Sequence, residues 1–517
     1  MVLHNPGGPA LDRRTLLTGV VGTAATAIAG NPAAASPAAS TRSGPTDPPT
    51  LEPTATLDLP GLAEAVTDEA GETVFCAVRD GFAIVDVSDP ANPELLAEER
   101  DLTHEDAGPM QRIYDVKYDD DRLVVAGPNA GGSDDLVGFF LYDVSDPATP
   151  ERLAFQGTSH AIHNCHLDGD RVYLTGGTTP GSPAVIYDIA GDDPEKVGAW
   201  SATQEADIWT RVGSNYLSCH DLYARGDTLY VAYWDAGTWV VDVSDPATPT
   251  ALARLGGLDP NYLAELDRGS IAEFIELPGN SHYVQPNADS DAVFVGKEAW
   301  DRPDTDLDGG PGGIECWSMG EEPTRESIIQ SPAGPDSNAT SHNFGLRNDR
   351  LYASWYAGGV AVYDVSDRAA PQVLGAWRDD TAASFWTAKP LHEGFLGASH
   401  ANPSNDQEAR RTGEGAALYL FPEPESGGEP APLMEPRPSP ATKATGEDGD
   451  GDPGGGGTDQ SGGSGAGTTV SAGGETTTGP DDSTDGESAV PGFGVGAAVT
   501  AVGASLGLAR LFGRQQE

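Results

Sequence analysis

Basic residues are scarce in this 517-residue chain, which contains 29 Lys and Arg against 80 Asp and Glu. The formal net charge of −51 repels nucleic-acid phosphates and anionic lipid headgroups. The composition therefore excludes an ordinary nucleic-acid-binding protein and argues against electrostatic docking on a lipid surface. Two interpretations of the acidity remain: a surface adapted to very high salt, or a disordered acidic tail.

Cysteine is also rare, with four residues in the whole chain (Cys76, Cys165, Cys219 and Cys316). This number excludes a small scaffold held together by disulfides. The chain contains no GxSxG, no HExxH and no phosphate-binding glycine loop, so the common signatures of several enzyme classes are missing. No segment keeps a helical period, whereas 66 Gly and 41 Pro favour turns and linkers.

The N-terminus has the form of an export signal. Arg13 and Arg14 precede a leucine pair and an apolar run to Gly30, and an Ala-rich stretch follows. A charged start, a short apolar core and a small-residue exit are typical of a secretory signal rather than a membrane span. The arginine pair resembles the twin-arginine signal, whose cargo the Tat translocase exports already folded. We predict a signal peptide with its leader in residues 1–38 and a linker in residues 39–54.

The C-terminus has the form of a sorting signal. Pro491, Gly492 and Phe493 open an apolar stretch through Leu508, and basic residues follow it. About 17 to 20 apolar residues can just span a bilayer. The arrangement in residues 491–517 resembles the PGF-type signal of archaeal surface proteins. That resemblance implies cleavage by an archaeosortase and attachment to lipid, and a plain transmembrane anchor is the alternative. Either one predicts a folded part at the extracellular face of the cell membrane or in the S-layer.

A long segment before this signal lacks aromatic residues altogether. Residues 422–490 consist mainly of Gly, Pro, Ser, Thr, Asp and Glu. Such a composition buries too little apolar area to offset the entropy of ordering. We therefore predict a disordered acidic stalk that holds the preceding domain away from the membrane. An acidic folded surface beside an archaeal-type sorting tail further indicates a halophilic archaeon.

One phrase recurs between residues 55 and 421. It reads Ala83-Ile-Val-Asp-Val-Ser-Asp-Pro in its first copy, and the strand aspartates that mark the copies are Asp86, Asp143, Asp188, Asp242 and Asp364. Each apolar run ends where Pro removes a backbone donor and where Asp or Ser can cap a turn. A second strand precedes each phrase and follows an aspartate, as expected for a hairpin (Asp121, Asp170, Asp227, Asp291 and Asp349).

Self-similarity at this spacing is typical of solenoids and propellers. Several short strands per unit favour an all-β fold, a β-propeller of about seven blades over residues 55–421, with six as the alternative count. The phrases resemble the LVIVD repeat family. This resemblance implies a β-propeller found in secreted or surface proteins of archaea and bacteria. The fifth unit departs from the pattern, because Ile314-Glu-Cys-Trp-Ser-Met lacks Ser-Asp-Pro and residues 297–312 look inserted.

A column of histidines accompanies the repeat. His163, His220 and His342 lie seven residues before the hairpin aspartates, and His282 takes the similar place with two extra residues. Tyr114 and, approximately, Trp386 hold the same column in two other units. Polar residues follow three of the histidines (Asn164, Asp221 and Asn343). Equivalent positions on the innermost strands of a propeller converge on its axis, so we predict that these residues line one channel.

Two interpretations of the histidine column remain open. Neutral imidazoles suit zinc, copper or iron, so the column predicts a metal or ligand site at the channel mouth. Cys165 and Cys219 stand beside two of the histidines and would add softer ligands. Alternatively, the repeat copies a structural histidine that hydrogen-bonds a neighbouring blade.

A second candidate metal site lies in the inserted segment. Asp304, Asp306, Asp308 and Glu315 take positions 1, 3, 5 and 12 of a calcium-loop spacing, with Gly309 at position 6. Hard carboxylate oxygens at these positions can surround one Ca²⁺. Pro311 and the lack of flanking helices favour the alternative, a solvated acidic loop.

Two functions are compatible with these patterns. The first is a binding or scaffold protein of the archaeal cell envelope that uses the propeller faces for a protein or glycan partner. The second is a metal-binding protein or metalloenzyme with the histidines around the axis. The sequence assigns no catalytic residue, and it leaves the cofactor open between Ca²⁺, a transition metal and none.

Overall fold

The computed structural model describes residues 48–435 apart from 130–135, 178, 192, 267–276, 301–310, 335–338, 406–408 and 410–411. The described residues form seven antiparallel sheets. Their helical content is small: one six-residue helix, α1 (Pro260–Glu265), and two 3₁₀ turns (Ala202–Gln204 and Asp207–Arg211). The predicted all-β class is therefore confirmed.

The strands follow one another along the chain with short connections. The first seventeen are β1 (Ala55–Asp58), β2 (Leu62–Thr67), β3 (Thr73–Val78), β4 (Gly81–Asp86), β5 (Glu94–Arg100), β6 (Asp115–Asp119), β7 (Arg122–Gly127), β8 (Gly138–Asp143), β9 (Glu151–Gly157), β10 (Cys165–Asp168), β11 (Arg171–Thr175), β12 (Ala184–Asp188), β13 (Glu195–Trp200), β14 (Asp221–Arg225), β15 (Thr228–Ala232), β16 (Thr238–Asp242) and β17 (Thr250–Leu255). The remaining twelve are β18 (Ser281–Pro286), β19 (Ala292–Lys297), β20 (Ile314–Ser318), β21 (Thr324–Ile329), β22 (Phe344–Arg347), β23 (Arg350–Ser354), β24 (Val360–Asp364), β25 (Gln372–Trp377), β26 (Ser384–Pro390), β27 (Phe395–Ala401), β28 (Ala417–Phe421) and β29 (Glu429–Pro430).

Six of the sheets are meanders of four consecutive strands, which we number blades 1 to 6. They are β2–β5, β6–β9, β10–β13, β14–β17, β18–β21 and β22–β25, the last extended by β29. Blade 7 consists of β26, β27, β28 and the N-terminal strand β1. Because β1 pairs with β28 from Ala55↔Leu420 to Asp58↔Ala417, the start of the chain closes the ring of blades.

The first strand of each meander lies nearest a common axis. Neighbouring inner strands are in contact for β2 with β6, β6 with β10, β10 with β14, β14 with β18, β22 with β26 and β26 with β2. Between β18 and β22, the rings of Tyr283 and Phe344 meet at 4.6 Å between centroids. The seven inner strands therefore surround one channel, and the predicted seven-blade propeller is confirmed.

The hydrophobic core is divided into seven parts, one between each pair of adjacent blades. The second and third strands of a blade are buried on both faces, whereas the outermost strands are half exposed. Strands such as Arg122-Leu-Val-Val-Ala-Gly are apolar at consecutive positions because each face of a blade packs against a neighbouring blade.

The repeated Asp-Val-Ser-Asp-Pro phrase ends the third strand of a blade with two turns. Oδ1 of Asp143 accepts a hydrogen bond from Ser145 N at 2.9 Å, and Oδ1 of Asp146 accepts one from Ala148 N at 3.2 Å. The corresponding aspartates of blades 1, 4 and 6 make the same contacts. The residue after each strand aspartate also donates to a hairpin carbonyl, as Val144 N does to Asp121 O at 2.8 Å. These bonds connect the two hairpins of each blade.

The folded part extends beyond the predicted range of residues 55–421. Leu51 is buried in the core between blades 6 and 7. After β28, the chain forms β29 along blade 6, and Leu433 then bridges to Ile329 of blade 5. The beginning of the predicted stalk therefore lies against two blades, because its backbone completes their outer edges.

The strand aspartate of blade 4 tests the role of these turns. Oδ1 of Asp242 accepts from Ser244 N at 3.0 Å and from Ser244 Oγ at 2.6 Å. Asp242→Ala should lower the free energy of unfolding by about 1 kcal/mol, since each lost hydrogen bond contributes on that order. Asp242→Asn keeps the acceptor and should lose less than half of that amount in urea denaturation. Equal losses for both variants would contradict the proposed role of the acceptor.

Candidate functional site

Six aromatic side chains meet where the inner strands begin. We call them the axial ring: Tyr114, His163, His220, His282, His342 and Trp386. The imidazole centroids are 4.2 Å apart for His163 and His220, 4.1 Å for His220 and His282, and 4.4 Å for His282 and His342. Trp386 follows His342 at 4.1 Å and Tyr114 follows Trp386 at 5.5 Å. The structure thus brings together the four histidines and the two aromatic residues of the predicted column.

Two members of the axial ring occupy β-bulges. The ladder between β18 and β19 shifts register between Ser281 and Tyr283, and His282 is the extra residue. The ladder of β26 shifts in the same way around Trp386. A bulge re-aims the side chain that it carries. The bulge at His282 explains why its spacing in the sequence differs from that of the other three histidines.

Backbone carbonyls orient two of the imidazoles. Nδ1 of His342 donates to the carbonyl oxygen of Trp386 at 2.6 Å, and Nδ1 of His220 donates to the carbonyl oxygen of His282 at 3.3 Å. A neutral imidazole that donates from Nδ1 carries its lone pair on Nε2. The ring positions therefore present basic nitrogens to the channel mouth.

Burial keeps these imidazoles neutral. Loss of hydration lowers the pKa of His163 to about 4 and holds the pKa values of His220, His282 and His342 well below their usual range. Neighbouring imidazoles add to this effect at His220 and His282. The neutral form is the one that binds metal ions.

Glu298 joins the axial ring from the second strand of blade 5. It follows β19 directly and is 5 % exposed. Its Oε2 lies 3.3 Å from Nε2 of His282, and its Oε1 accepts a hydrogen bond of 2.5 Å from the hydroxyl of Tyr356. Burial raises the pKa of Glu298 to about 7. Three donor atoms, one each from His220, His282 and Glu298, lie within 4.8 Å of one another.

Glu298 escaped prediction because the histidine column follows only the first strand of each unit. In other blades, the residues at the end of the second strand also face the axial ring. Trp234 stacks on His220 at 4.6 Å, Tyr356 on His342 at 4.7 Å, and His400 lies 5.2 Å from Trp386. A second column, aligned on the ends of the second strands, would have identified these residues.

Trp234 and Tyr356 have an uncommon backbone conformation. Each has a φ of 48°, which is uncommon for residues other than glycine and marks strain in a bulky residue. Isolated bridges to Ser281 and Phe385 hold the two positions in place. The strained turns place an indole and a phenol against the histidines, and strain of this kind clusters at functional sites.

The polar residues of the predicted column lie one position deeper in the channel. Nδ2 of Asn164 donates to the carbonyl oxygen of His220 at 2.7 Å. Nδ2 of Asn343 donates to Glu64 of blade 1, and Asp221 is buried at the corresponding position of blade 4. These residues belong to the channel but form a layer separate from the axial ring.

The thiols suggested as softer ligands do not join the axial ring. Cys165 packs in the core between blades 2 and 3, and Cys219 packs between blades 3 and 4. Burial raises the pKa values of both thiols well above their usual range, so neither forms the thiolate that binds metal. All four cysteines of the chain are free and buried.

Only the last residue of the predicted calcium loop falls within the described part of the chain. Asp304, Asp306 and Asp308 lie outside the described residues. Glu315 is a buried residue of β20, and its carboxylate accepts from Arg325 at 2.5 Å and from Nε1 of Trp317 at 3.0 Å. Lys297 lies 3.7 Å from the same carboxylate. The structure thus places Glu315 in an ionic contact inside blade 5.

The predicted terminal signals also lie outside the described residues. This holds for Arg13 and Arg14 of the export signal and for Pro491, Gly492 and Phe493 of the sorting signal. In the part of the chain that the structure describes, no helix has both the length and the apolar character needed to cross a membrane.

Comparison with protein-family models identifies a repeat. Residues 70–98 and 218–254, in blades 1 and 4, match the LVIVD repeat. The predicted repeat propeller is confirmed. No curated protein matches the chain at a significant level.

Solved structures similar to this chain include other propellers. The β-propeller domain of Myceliophteria thermophila Cps50 (Swd1) is 10% identical with a TM-score of 0.49, and the match covers 72% of this chain and 99% of that one. The WD40 repeats of RRP9 are 10% identical with a TM-score of 0.47, over 71% of this chain and 97% of that one. Hydrazine synthase of Kuenenia stuttgartiensis is 10% identical with a TM-score of 0.46, over 68% and 96%.

A histidine outside the axial ring provides a test of the buried neutral imidazoles. Nε2 of His166 donates to the carbonyl oxygen of Ala224 at 3.0 Å, and the ring stacks on Tyr223 at 4.3 Å. Burial, together with the charge of Lys117, lowers the pKa of His166 to about 3. An unfolded histidine has a pKa of about 6.5, so between these values only the unfolded state binds the proton.

The folded protein should therefore lose stability as the pH falls below about 6. His166→Gln should reduce this loss by about 1.4 kcal/mol for each pH unit between roughly pH 6 and pH 4, because it removes one proton-binding group of the unfolded state. Urea denaturation over this pH range measures the effect. His392→Gln, a change at an exposed histidine, serves as the control. An unchanged pH slope for His166→Gln would contradict a buried neutral imidazole.

Proposed function

We propose that this chain is an exported binding protein that holds a divalent first-row transition metal at the propeller axis. The ligands are His220, His282 and Glu298. One observation carries the proposal: their donor atoms already lie within 4.8 Å of one another on three separate strand ends. The metal hypothesis is therefore favoured over a purely structural role for the histidines.

The chemistry of the three donors suits such an ion. Two imidazoles and one carboxylate are a frequent ligand set for zinc and non-haem iron, and in both cases further coordination positions stay open. Metal–nitrogen distances of about 2.0–2.1 Å require the three donors to come closer together than 4.8 Å. Small rotations of the buried side chains achieve this without moving the strands.

Neighbouring groups hold the ligands in orientation. The hydroxyl of Tyr356 donates to one oxygen of Glu298 and leaves the other toward His282. The carbonyl of His282 accepts from Nδ1 of His220 and turns the Nε2 of His220 toward the channel mouth. Such outer contacts fix the tautomer and orientation of metal ligands and raise their basicity.

The axial site should bind one equivalent of Zn²⁺ or Fe²⁺ per chain. His282→Ala and Glu298→Gln each remove one ligand and should weaken binding by at least about 100-fold, whereas Tyr356→Phe should cost about 10-fold or more. Metal analysis after gel filtration and calorimetric titration in high salt with excess Mg²⁺ measure these effects, since this medium saturates surface carboxylates.

His392→Ala is the matched control, because it removes an exposed histidine and leaves the axial ring intact. It should bind metal like the wild type. Substoichiometric metal in the wild type, or an unchanged affinity for Glu298→Gln, would overturn the proposal.

The place of action that we propose is the outer surface of the cell. The sequence supports it, through the arginine pair Arg13 and Arg14, the aromatic-free segment and the Pro491-Gly492-Phe493 signal. The predicted order of signal, propeller, stalk and anchor would hold the axial site outside the membrane. The surplus of carboxylates also suits hydration in concentrated salt.

Protein purified from its native membranes should lack the export signal, end near residue 491 and carry lipid. Replacing Arg13 and Arg14 with lysines should retain the precursor inside the cell, because a twin-arginine signal depends on the pair. Intact mass spectrometry and cell fractionation check both results. An intact C-terminus would leave the plain membrane anchor.

A second candidate function is the binding of a protein or glycan of the cell envelope. It is favoured by the repeat match and by large exposed leucines on three outer strands, Leu95, Leu153 and Leu252. Such a partner would contact the outer strands rather than the axis. This function would persist in Glu298→Gln, which separates it from metal binding.

A further inference from the structure

The channel below the axial ring contains a second polar layer. Its members directly follow the ring positions on the inner strands of six blades. We call them the channel layer: Glu64, Asp115, Asn164, Asp221, Asn343 and Thr387. All six are at most 6 % exposed. A layer so deeply buried must neutralise its charges and satisfy its polar atoms from within.

The charges of the channel layer do not balance. Two lysines reach into it one turn of the pleat further along: Lys117 pairs with Asp115, and Nζ of Lys389 lies 3.6 Å from Oε1 of Glu64. These two ammonium groups compensate two of the three carboxylates. The carboxylate of Asp221 remains, and the described residues around it offer no third cation in contact. Breaking the balance of a buried charge in this way is strongly destabilising.

The polar atoms point to where the missing charge belongs. Oδ1 of Asp221 accepts from Leu222 N at 2.7 Å, but its Oδ2 is buried without a hydrogen-bond partner among the described residues. The same is true of Oδ1 of Asn343 and Oγ1 of Thr387. Asn343 donates its Nδ2 to Glu64, so its amide lies within the layer. These oxygens come from blades 4, 6 and 7 and lie at equivalent positions around one axis.

We propose that the channel layer binds one monovalent inorganic cation, Na⁺ or K⁺, between Asp221 and the free oxygens of Asn343 and Thr387. The donors are all oxygen, and hard cations prefer carboxylate, amide and hydroxyl oxygens. One uncompensated carboxylate matches one positive charge, whereas a divalent ion would leave a positive excess beside Lys117 and Lys389. The site lies below the axial ring and does not depend on the transition metal proposed there.

A proton on Asp221 is the competing way to balance the layer. Burial raises the pKa of this carboxyl well above its usual range, and the neighbouring charges of Asp115 and Glu64 add to the effect, whereas Lys117 opposes it. A bound cation would instead keep the carboxylate charged. The two cases respond differently to the salt and to the pH.

Thermal unfolding of the full-length protein at pH 7.5 and constant ionic strength tests the proposal. NaCl or KCl is exchanged for choline chloride, whose cation is too large for the layer. The melting temperature should be higher by about 3 °C or more in the inorganic salt and should saturate with its concentration, as a ligand of the folded state requires. Asp221→Asn keeps the shape, removes the charge and should abolish the dependence.

Asp289→Asn is the matched control, since it removes one exposed surface carboxylate and should keep the full cation dependence. Thr387→Val serves if Asp221→Asn does not fold: it removes one neutral ligand and should raise the midpoint concentration of the cation effect about 10-fold. Equal melting temperatures of the wild type in all three salts would overturn the proposal. So would a wild type whose stability only falls with rising pH, because that result identifies a proton on Asp221.

Discussion

The pairing of β1 with β28 is the constraint on which both sites depend. A propeller has an axis only when its last blade meets its first, and here four residues from the start of the chain complete blade 7. Closure of this kind leaves no open sheet edge between the ends and fixes the inner strands at one radius. The histidines come from four different blades, so their spacing of 4.1 to 4.4 Å reflects the closed ring rather than any local contact.

Strand geometry then divides the channel into layers of different chemistry. Successive residues of an inner strand alternate in direction, so the ring position and the next residue serve different surroundings. The ring position carries imidazole nitrogen and aromatic faces, and the next carries carboxylate, amide and hydroxyl oxygen. The residue after that, such as Val116 or Leu222, packs into the cores between blades. One short strand motif, repeated with variation, thus creates a nitrogen layer above an oxygen layer and a dry core around both.

The sequence predicted the elements that repeat and missed those that occur once. The strand aspartates and the histidine column recur at a regular offset, so alignment of the copies is enough to locate them. Glu298 has no counterpart in the other blades and follows a different strand, and Glu64 lies in a unit with Ala63 at the ring position. Neither could emerge from a column of like residues. Lys389 reaches the channel layer from blade 7, where the bulge at Trp386 obscures the register. Bulges and singular residues are the two features that repeat alignment cannot provide.

The chain's net charge of −51 bears on both sites through solution rather than through contact. A strongly negative surface raises the local concentration of cations and their rate of arrival, yet it does so for every cation alike. Discrimination therefore has to arise within the channel, where water is scarce and each donor atom is fixed by a strand. Nitrogen donors at the mouth favour a transition metal, and oxygen donors below favour a hard ion. The acidic surface supplies cations, and the order of the two layers along the axis determines which of them each level retains.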